Sequence, residues 1–420
     1  MNELGLAERQ PQRFLGNPKR VLAQFFCPGD ERRCRRIIER ILAQPLDRTR
    51  EQLEAVLSAF SSRHADFTTI LERHFAAVAR RIPQETKPTP EQRLLIGSYF
   101  TKEYSIEAAA LFNPSMTPHP DQKDVPVGSL RYLLSLRATG EGHISSITFA
   151  SGLIEENGRI VPDEPPIWAT SPLFVQQNES GETVIEFPAE SALNERVVFP
   201  LTDDERNGIE DLRLVRFADE DGNLKWYGTF TAYDGRTIRS KLLQTTDFRR
   251  FSLRPLVGTA VSNKGMALFP TKIDGQFAMI SRLDGENLYF MTSKSVDRWD
   301  KAVLLQTPEQ PWEWVQIGNC GSPIETNEGW LLLSHGVGPM RTYAVGAYLL
   351  DRRNPAKVIG RLPRPLLSPN SDERDGYVPN VVYSCGGIRH SGRLIIPYAM
   401  SDYAYGFAVV DLNKLLQHFV

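Results

Sequence analysis

The chain is poor in cysteine, lacks any long apolar run and shows no excess charge of either sign. Its 420 residues include four cysteines, Cys27, Cys34, Cys320 and Cys385. They form no Cys-x-x-Cys pair, and no histidine or cysteine cluster accompanies Cys27 and Cys34. That excludes a zinc ribbon and a disulfide framework, and leaves structural thiols in a reducing compartment as the expectation. The greasiest stretches, such as WLLLSHGVG from 330 to 338, are strand-sized, well short of the ~20 residues of a membrane-spanning helix. The opening MNELGLAERQPQRF has no apolar h-region of a secretory signal. A cytoplasmic location follows as an expectation. With 49 Lys and Arg against 51 Asp and Glu, the formal net charge is -2. No excess of one sign recommends nucleic acid or an anionic membrane as partner.

What is present falls into two textures. Residues 18 to 82 have helical periodicity. In PGDERRCRRIIERILAQPL, Pro28 and Gly29 break the chain and Asp30 is placed as an N-cap. Ile37, Ile38, Ile41 and Leu42 then recur at helical spacing. A second helix is expected from Asp47, with Leu53, Val56, Leu57 and Phe60 on one stripe, and a third over Phe67, Ile70, Leu71, Phe75 and Val78. The arginines Arg32, Arg33, Arg35 and Arg36 read as a solvated helix face, since no aromatic or glycine-rich platform accompanies them. PQETKPTPEQR reads as a linker. This places a helical region at 1–89, with an oligomerisation or lid role, before a second domain at 90–420.

Beyond residue 90 short β segments alternate with glycine and aspartate turns. Four of them share a plan of turn, apolar strand and second strand. Their turn glycines, Gly222, Gly275, Gly329 and Gly392, lie 53, 54 and 63 residues apart. That is the period of propeller blades. A fifth unit fits upstream in SLRATGEGHISSITFASGLI. The expectation is an all-β five-bladed β-propeller with an N-terminal α-helical extension, an all-β sandwich being the alternative. A lone Trp299-Asp300 does not recur, which argues against WD40 repeats.

One strand-like run, NGIEDLRLVRF from 207 to 217, sets two carboxylates side by side. Strand alternation would put Asp211 and Arg213 on one face and Glu210 on the other with Leu212 and Leu214. In a propeller, like positions of successive blades converge at one end of a central channel. Those positions hold Arg137, Glu210, Asp211, Lys264, Arg282, His335 and Asp402. Cations with a histidine make an anion receptor, most naturally for phosphate. A facing carboxylate suggests acid catalysis.

Several ordered motifs carry a resemblance: FNPS, GIEDLR, NKGMALFP, KIDGQFAMISR, PWEWVQIGNCGSPI, SHGVG with TYAVGAYLLD, DGYVPNVVYS and YAMSD. From about Phe112 to the C-terminus the chain resembles glycoside hydrolase family 130, the β-mannoside phosphorylases and their hydrolytic relatives. The resemblance implies a five-bladed propeller with Asp211 as general acid. It implies phosphate binding at Lys264, Arg282, Gln316 and His335. It places sugar contacts at Asn113, Ser115, Arg137, Tyr343 and Asp402, with Glu210 as a structural or sugar-contacting partner. The typical phosphorylase has lysine where this chain has Gln316, and proline where it has Leu212.

The expected activity is cleavage of β-mannosides by inorganic phosphate, with inversion, to α-mannose 1-phosphate. Phosphate is then the nucleophile and no second catalytic carboxylate is required. The alternatives are an inverting β-mannosidase of the same family and a non-catalytic sugar-binding propeller. An oligosaccharide and phosphate are the expected partners, self-association is allowed for, and no metal or cofactor is expected.

Overall fold

The computed structural model describes residues 2–420. The chain divides into two compact units. One comprises 17–108 with 166–171, and the other comprises 2–16, 109–165 and 172–420 of the described residues.

The smaller unit holds four helices and a two-stranded antiparallel ribbon of Val21–Phe25 and Thr101–Ser105. Helix α1 (Glu31–Leu42) starts where Asp30 accepts a hydrogen bond from the Arg33 amide, and it buries Cys34, Ile38 and Ile41. Helix α2 (Leu46–Phe60) has Pro45 before it and no side-chain cap. Asp47 lies in its first turn and does not begin it. Helix α3 (Phe67–Val78) buries Leu71, Phe75 and Val78.

The last four residues of the expected linker, 90–93, are helical. Thr89 caps α4 (Pro90–Tyr99) in a reciprocal box with Gln92, and Pro90 stands at the first helical position. This Thr-Pro-Glu-Gln pattern is a helix start, where a missing amide costs nothing. Leu95 and Ile96 of α4 join the core of α1 and α3. The boundary expected at residue 90 therefore moves to about 108, and residues 2–16 belong with the larger unit.

The larger unit is built almost wholly of antiparallel strands in five sheets. The first runs through Ala110–Pro118, Leu130–Thr139, Ser145–Ile154 and Ile160–Pro162. The second runs through Ile209–Ala218, Leu224–Tyr233, Ile238–Thr245 and Arg250–Pro255, extended by Thr183–Glu186 and Phe174–Gln177. The third has Ala267–Leu268, Phe277–Ser281, Leu288–Ser293 and Ala302–Gln306. The fourth has Gln316–Asn319, Trp330–Val337, Tyr343–Leu350 and Val358–Arg361. The fifth has Val382–Tyr383, Arg393–Met400 and Ala404–Asp411. It is completed by Ala7–Arg9 from the other end of the chain, with Ala7 opposite Val410.

Apolar residues on alternate faces let each sheet pack on two others. Leu212 and Leu214 meet Leu133 and Phe149 of the first sheet. Val215 and Phe217 face Leu268 and Met279 of the third. Further cores join third to fourth, fourth to fifth, and fifth back to first through Leu134 and Phe407. The four turn glycines each precede the second strand of a sheet. The corresponding turn of the first sheet holds Gly128, before Leu130–Thr139. The upstream stretch read as a fifth unit, 135–154, covers the second and third strands of the first sheet, as the later units do in theirs.

Candidate active site

A polar cavity of about 330 Å³ collects residues from all five sheets. The first strands supply Asn113, Asp211 and Arg213, Gln316 with Asn319, and Tyr383, while Lys264 and Gly265 lie just before Ala267–Leu268. The second strands supply Arg137 and His335 within them, Arg282 directly after one and Asp402 two residues after another. The second sheet's second strand contributes nothing to the lining.

The pair Glu210 and Asp211 does not alternate as a regular strand would. The ladder slips between Glu210 and Arg213, and Asp211 takes a left-handed φ of 60°. A bulge inserts extra residues on one strand and re-aims a side chain. Both carboxylates consequently turn toward one cation. Arg137 Nη1 lies 2.7 Å from Glu210 Oε2 and 3.7 Å from Asp211 Oδ1. Asn113, itself at φ 50° in a second bulge of the first sheet, donates Nδ2 to Asp211 Oδ1 at 2.7 Å. Asp402 also has positive φ, at 52°. Such backbone costs about 1–3 kcal/mol per residue and tends to be retained at functional sites.

Asp211 is buried, which raises its pKa. Arg137, Lys264, Arg213 and the Asn113 hydrogen bond outweigh this and hold it below the ordinary carboxylate range. Asp402 goes the other way. Burial pushes it up to about 6, with Asp211 and Glu210 adding to the rise against Arg137 and Lys264. Two carboxyls of one pocket thus titrate in different pH ranges, Asp402 above the ordinary carboxylate range and Asp211 below it.

The cations are held in different ways. Lys264 Nζ reaches Glu210 Oε1 at 3.2 Å. Arg213 is buried and donates Nη2 to Tyr383 Oη at 2.6 Å and Nη1 to the Asp211 carbonyl at 3.0 Å. The Nε of Arg282 is buried with no hydrogen-bond partner among the described residues. His335 has its pKa driven well down, first by burial and then by Arg282 and Arg213, so the imidazole is neutral. It stacks on Tyr343 with centroids 5.9 Å apart. Gly318 makes room for it, since a Cβ there would stand 2.3 Å from His335 Cε1.

Of the residues singled out from sequence, the cavity brings together Asn113, Arg137, Asp211, Lys264, Arg282, Gln316, His335, Tyr343 and Asp402. Glu210 stands behind this wall as a partner of Arg137 and Lys264. Ser115 is fully buried, and its Oγ accepts from the Leu214 amide at 3.0 Å. It fastens the first strand of one sheet to that of the next and is not part of the lining. Arg213, Asn319, Arg341 and Tyr383 line the cavity without having been assigned to it. Arg213 had a signal, as a cation two residues from Asp211. Asn319 and Tyr383 lay inside motifs already quoted.

A sequence model of glycoside hydrolase family 130, described as beta-1,4-mannooligosaccharide phosphorylase, matches residues 170–419. The chain belongs to glycoside hydrolase family 130. This is a family of enzymes. Among its relatives, the 1,2-beta-oligomannan phosphorylase of Thermoanaerobacter sp. (strain X514) is 31% identical over 228 residues, covering 53% of this chain and 75% of its own. The beta-1,2-mannobiose phosphorylase of the same organism is 31% identical over 212 residues, covering 50% and 68%. The beta-1,2-mannobiose phosphorylase from Listeria innocua, solved with beta-1,2-mannobiose, shares the fold. It has a TM-score of 0.53 and 18% identity over 75% of this chain and 92% of its own. The matched segment of the family model carries every cavity residue named above except Asn113 and Arg137 of the first sheet.

Proposed function

We propose that this family 130 enzyme is a β-mannoside phosphorylase that transfers a mannosyl group to inorganic phosphate with inversion, giving α-mannose 1-phosphate. The observation that carries the reading is Arg282, a guanidinium whose buried Nε has no partner, in the same cavity as the buried Asp211. A planar cationic fork of this kind suits phosphate. Lys264, Gln316 and the neutral His335 surround the same cavity. The amide of Gln316 donates hydrogen bonds where a lysine would add a charge, so the site keeps donors while losing one cation. Five sheets packed in sequence, the fifth on the first, support reading the larger unit as a five-bladed propeller with the site at its axis.

In this mechanism Arg282, Lys264 and His335 hold phosphate against the anomeric carbon. A phosphate oxygen forms the new C–O bond as the glycosidic C–O bond breaks. Asp211 supplies the proton that the departing sugar oxygen needs, directly or through a sugar hydroxyl. Free Asp211 is held ionised by its cations, so its proton must arrive with the anion. A phosphate in the cavity offsets those same charges and raises the Asp211 pKa. Phosphate binding is therefore linked to proton uptake. Arg137, Tyr343 and Asp402 are left to hold the mannosyl ring.

A second reading has an observation of its own. The bulge at Glu210 and Arg213 brings Glu210 to the same cation as Asp211. The slip removes the alternation that would set Glu210 on the face opposite Asp211, and an inverting hydrolase would need a base there. Product analysis on short β-mannosides separates the two. α-Mannose 1-phosphate formed only with phosphate supports the phosphorylase, and free mannose at a phosphate-independent rate overturns it. Asp211→Asn should lower kcat by about 10²–10⁴-fold, the usual worth of a general acid. Near-normal turnover by a folded variant would remove Asp211 from the mechanism.

A further inference from the structure

Cys27 and Cys34 lie in the helical unit and take no part in the chemistry proposed above. Cys27 follows the strand Val21–Phe25 and is exposed, whereas Cys34 is in α1 and is buried. Their sulfurs are nonetheless 2.9 Å apart, against ~2.0 Å in a formed disulfide. Both are free thiols in this structure.

The backbone between them is shaped for this approach. Gly29 takes φ +139°, a conformation side chains rarely adopt, and a Cβ there would meet Arg33 Cδ at 2.9 Å. Its carbonyl accepts from both thiols, at 3.3 Å from Cys27 Sγ and 3.9 Å from Cys34 Sγ. Asp30 then starts α1 by accepting from the Arg33 amide at 2.8 Å, which holds Cys34 one residue further on. The turn, the cap and the helix converge on a single sulfur pair.

We propose that Cys27 and Cys34 are a dithiol–disulfide couple, a modification site oxidised by low-molecular-weight disulfides. The exposed Cys27 thiolate attacks one sulfur of the small disulfide, whose S–S bond breaks to release one thiolate. Cys34 gives its proton to solvent and attacks Cys27 Sγ, expelling the second small thiolate. Two protein thiols lose two electrons and two protons, and one small disulfide becomes two thiols. Burial and the hydrogen bond with Cys27 push the Cys34 thiol up to about 11, against the pull of Arg81. That fits attack beginning at the solvent-facing sulfur. The closed form ties the end of the ribbon strand to the first turns of α1, whose Ile38 and Ile41 sit in the core with Leu95.

The test equilibrates the full chain in glutathione buffers of graded oxidised-to-reduced ratio, followed by alkylation and peptide mapping. The expected product is lighter by two hydrogens, with two of the four thiols protected. Its tryptic peptides are joined through Cys27 and Cys34, because Arg32 and Arg33 allow cleavage between them. Cys34→Ser should instead stop at a glutathione adduct on Cys27. Should that buried replacement fail to fold, Cys27→Ser at the exposed position should abolish the cross-link and leave Cys34 without an adduct. Full alkylation of both cysteines at every ratio, or a persistent Cys27 adduct in the unaltered chain, would overturn the proposal.

Discussion

Arg282 lines the cavity, and its buried Nε has no hydrogen-bond partner among the described residues. A buried guanidinium nitrogen without a partner is costly unless something else satisfies it. An arriving anion would do so, and the neutral His335 beside it can donate without adding charge. Arg282→Ala should raise the KM for phosphate by about 10–100-fold, the worth of one hydrogen bond to a charged group, while the KM for mannoside changes far less. Initial rates with each substrate varied in turn check this.

Asp402 makes a different prediction at the same scale. Its folded pKa is about 6, above the ordinary 3.8, so the folded protein keeps a proton that the unfolded chain has released. This group's contribution to stability therefore falls as pH rises from about 4 to about 6. Asp211, lowered in the fold, has the opposite sign and loses its contribution as pH falls. In activity, kcat/KM should show an inflection near pH 6 that flattens in Asp402→Asn. An unchanged profile would assign the inflection elsewhere.

At the scale of elements, the capping box that turns the end of an apparent linker into the start of α4 is open to a direct measurement. Thr89 and Gln92 satisfy each other's backbone amides. Removing the Thr89 hydroxyl leaves one of them without its partner. Thr89→Ala should cost about 1 kcal/mol, visible as a lower urea midpoint. The unit's core residues Leu95 and Ile96 depend on this helix. The bulges work in the opposite sense, spending regular pairing to aim Asp211 and Asn113. Strand periodicity predicts a strand over 207–217 with Leu212 and Leu214 on one face, and Ile209–Ala218 is a strand. It did not predict the slip, because alternation presumes an unbroken ladder.

For the larger unit as a whole, the fifth sheet is made from both ends of the described chain. Arg9, beside the strand's pairing with Ala404–Asp411, lies 2.8 Å from Glu3 and 2.9 Å from the buried Glu373. Tyr398 donates to the same Glu373 at 2.7 Å. Removing the cation leaves a buried carboxylate short of its charge partner, at a cost of about 3–5 kcal/mol. Arg9→Ala should lower the denaturation midpoint of this unit by much more than Thr89→Ala lowers that of the helical one. Equal effects would mean that the first strand is not needed to complete the sheet.

Local sequence by itself determined α1, α2 and α3, the turn glycines, and Arg137, Asp211, Lys264, Arg282, His335 and Asp402 as candidates for one site. Each rests on short-range rules: a cap, a turn that needs positive φ, or a polar group ending an apolar strand. The motif resemblance likewise pointed to the family that the comparison supports. Tertiary structure alone decided what those residues face. Ser115 looked like a sugar contact and is a clip between sheets. Glu210 is expected on the face opposite Asp211 and shares Arg137 with it. Arg213 became part of the wall through Tyr383, 170 residues away. The physical reason is common to all three. Side-chain direction at a bulge, and partners supplied by another sheet, depend on contacts between distant segments, and these exist only once the sheets have packed.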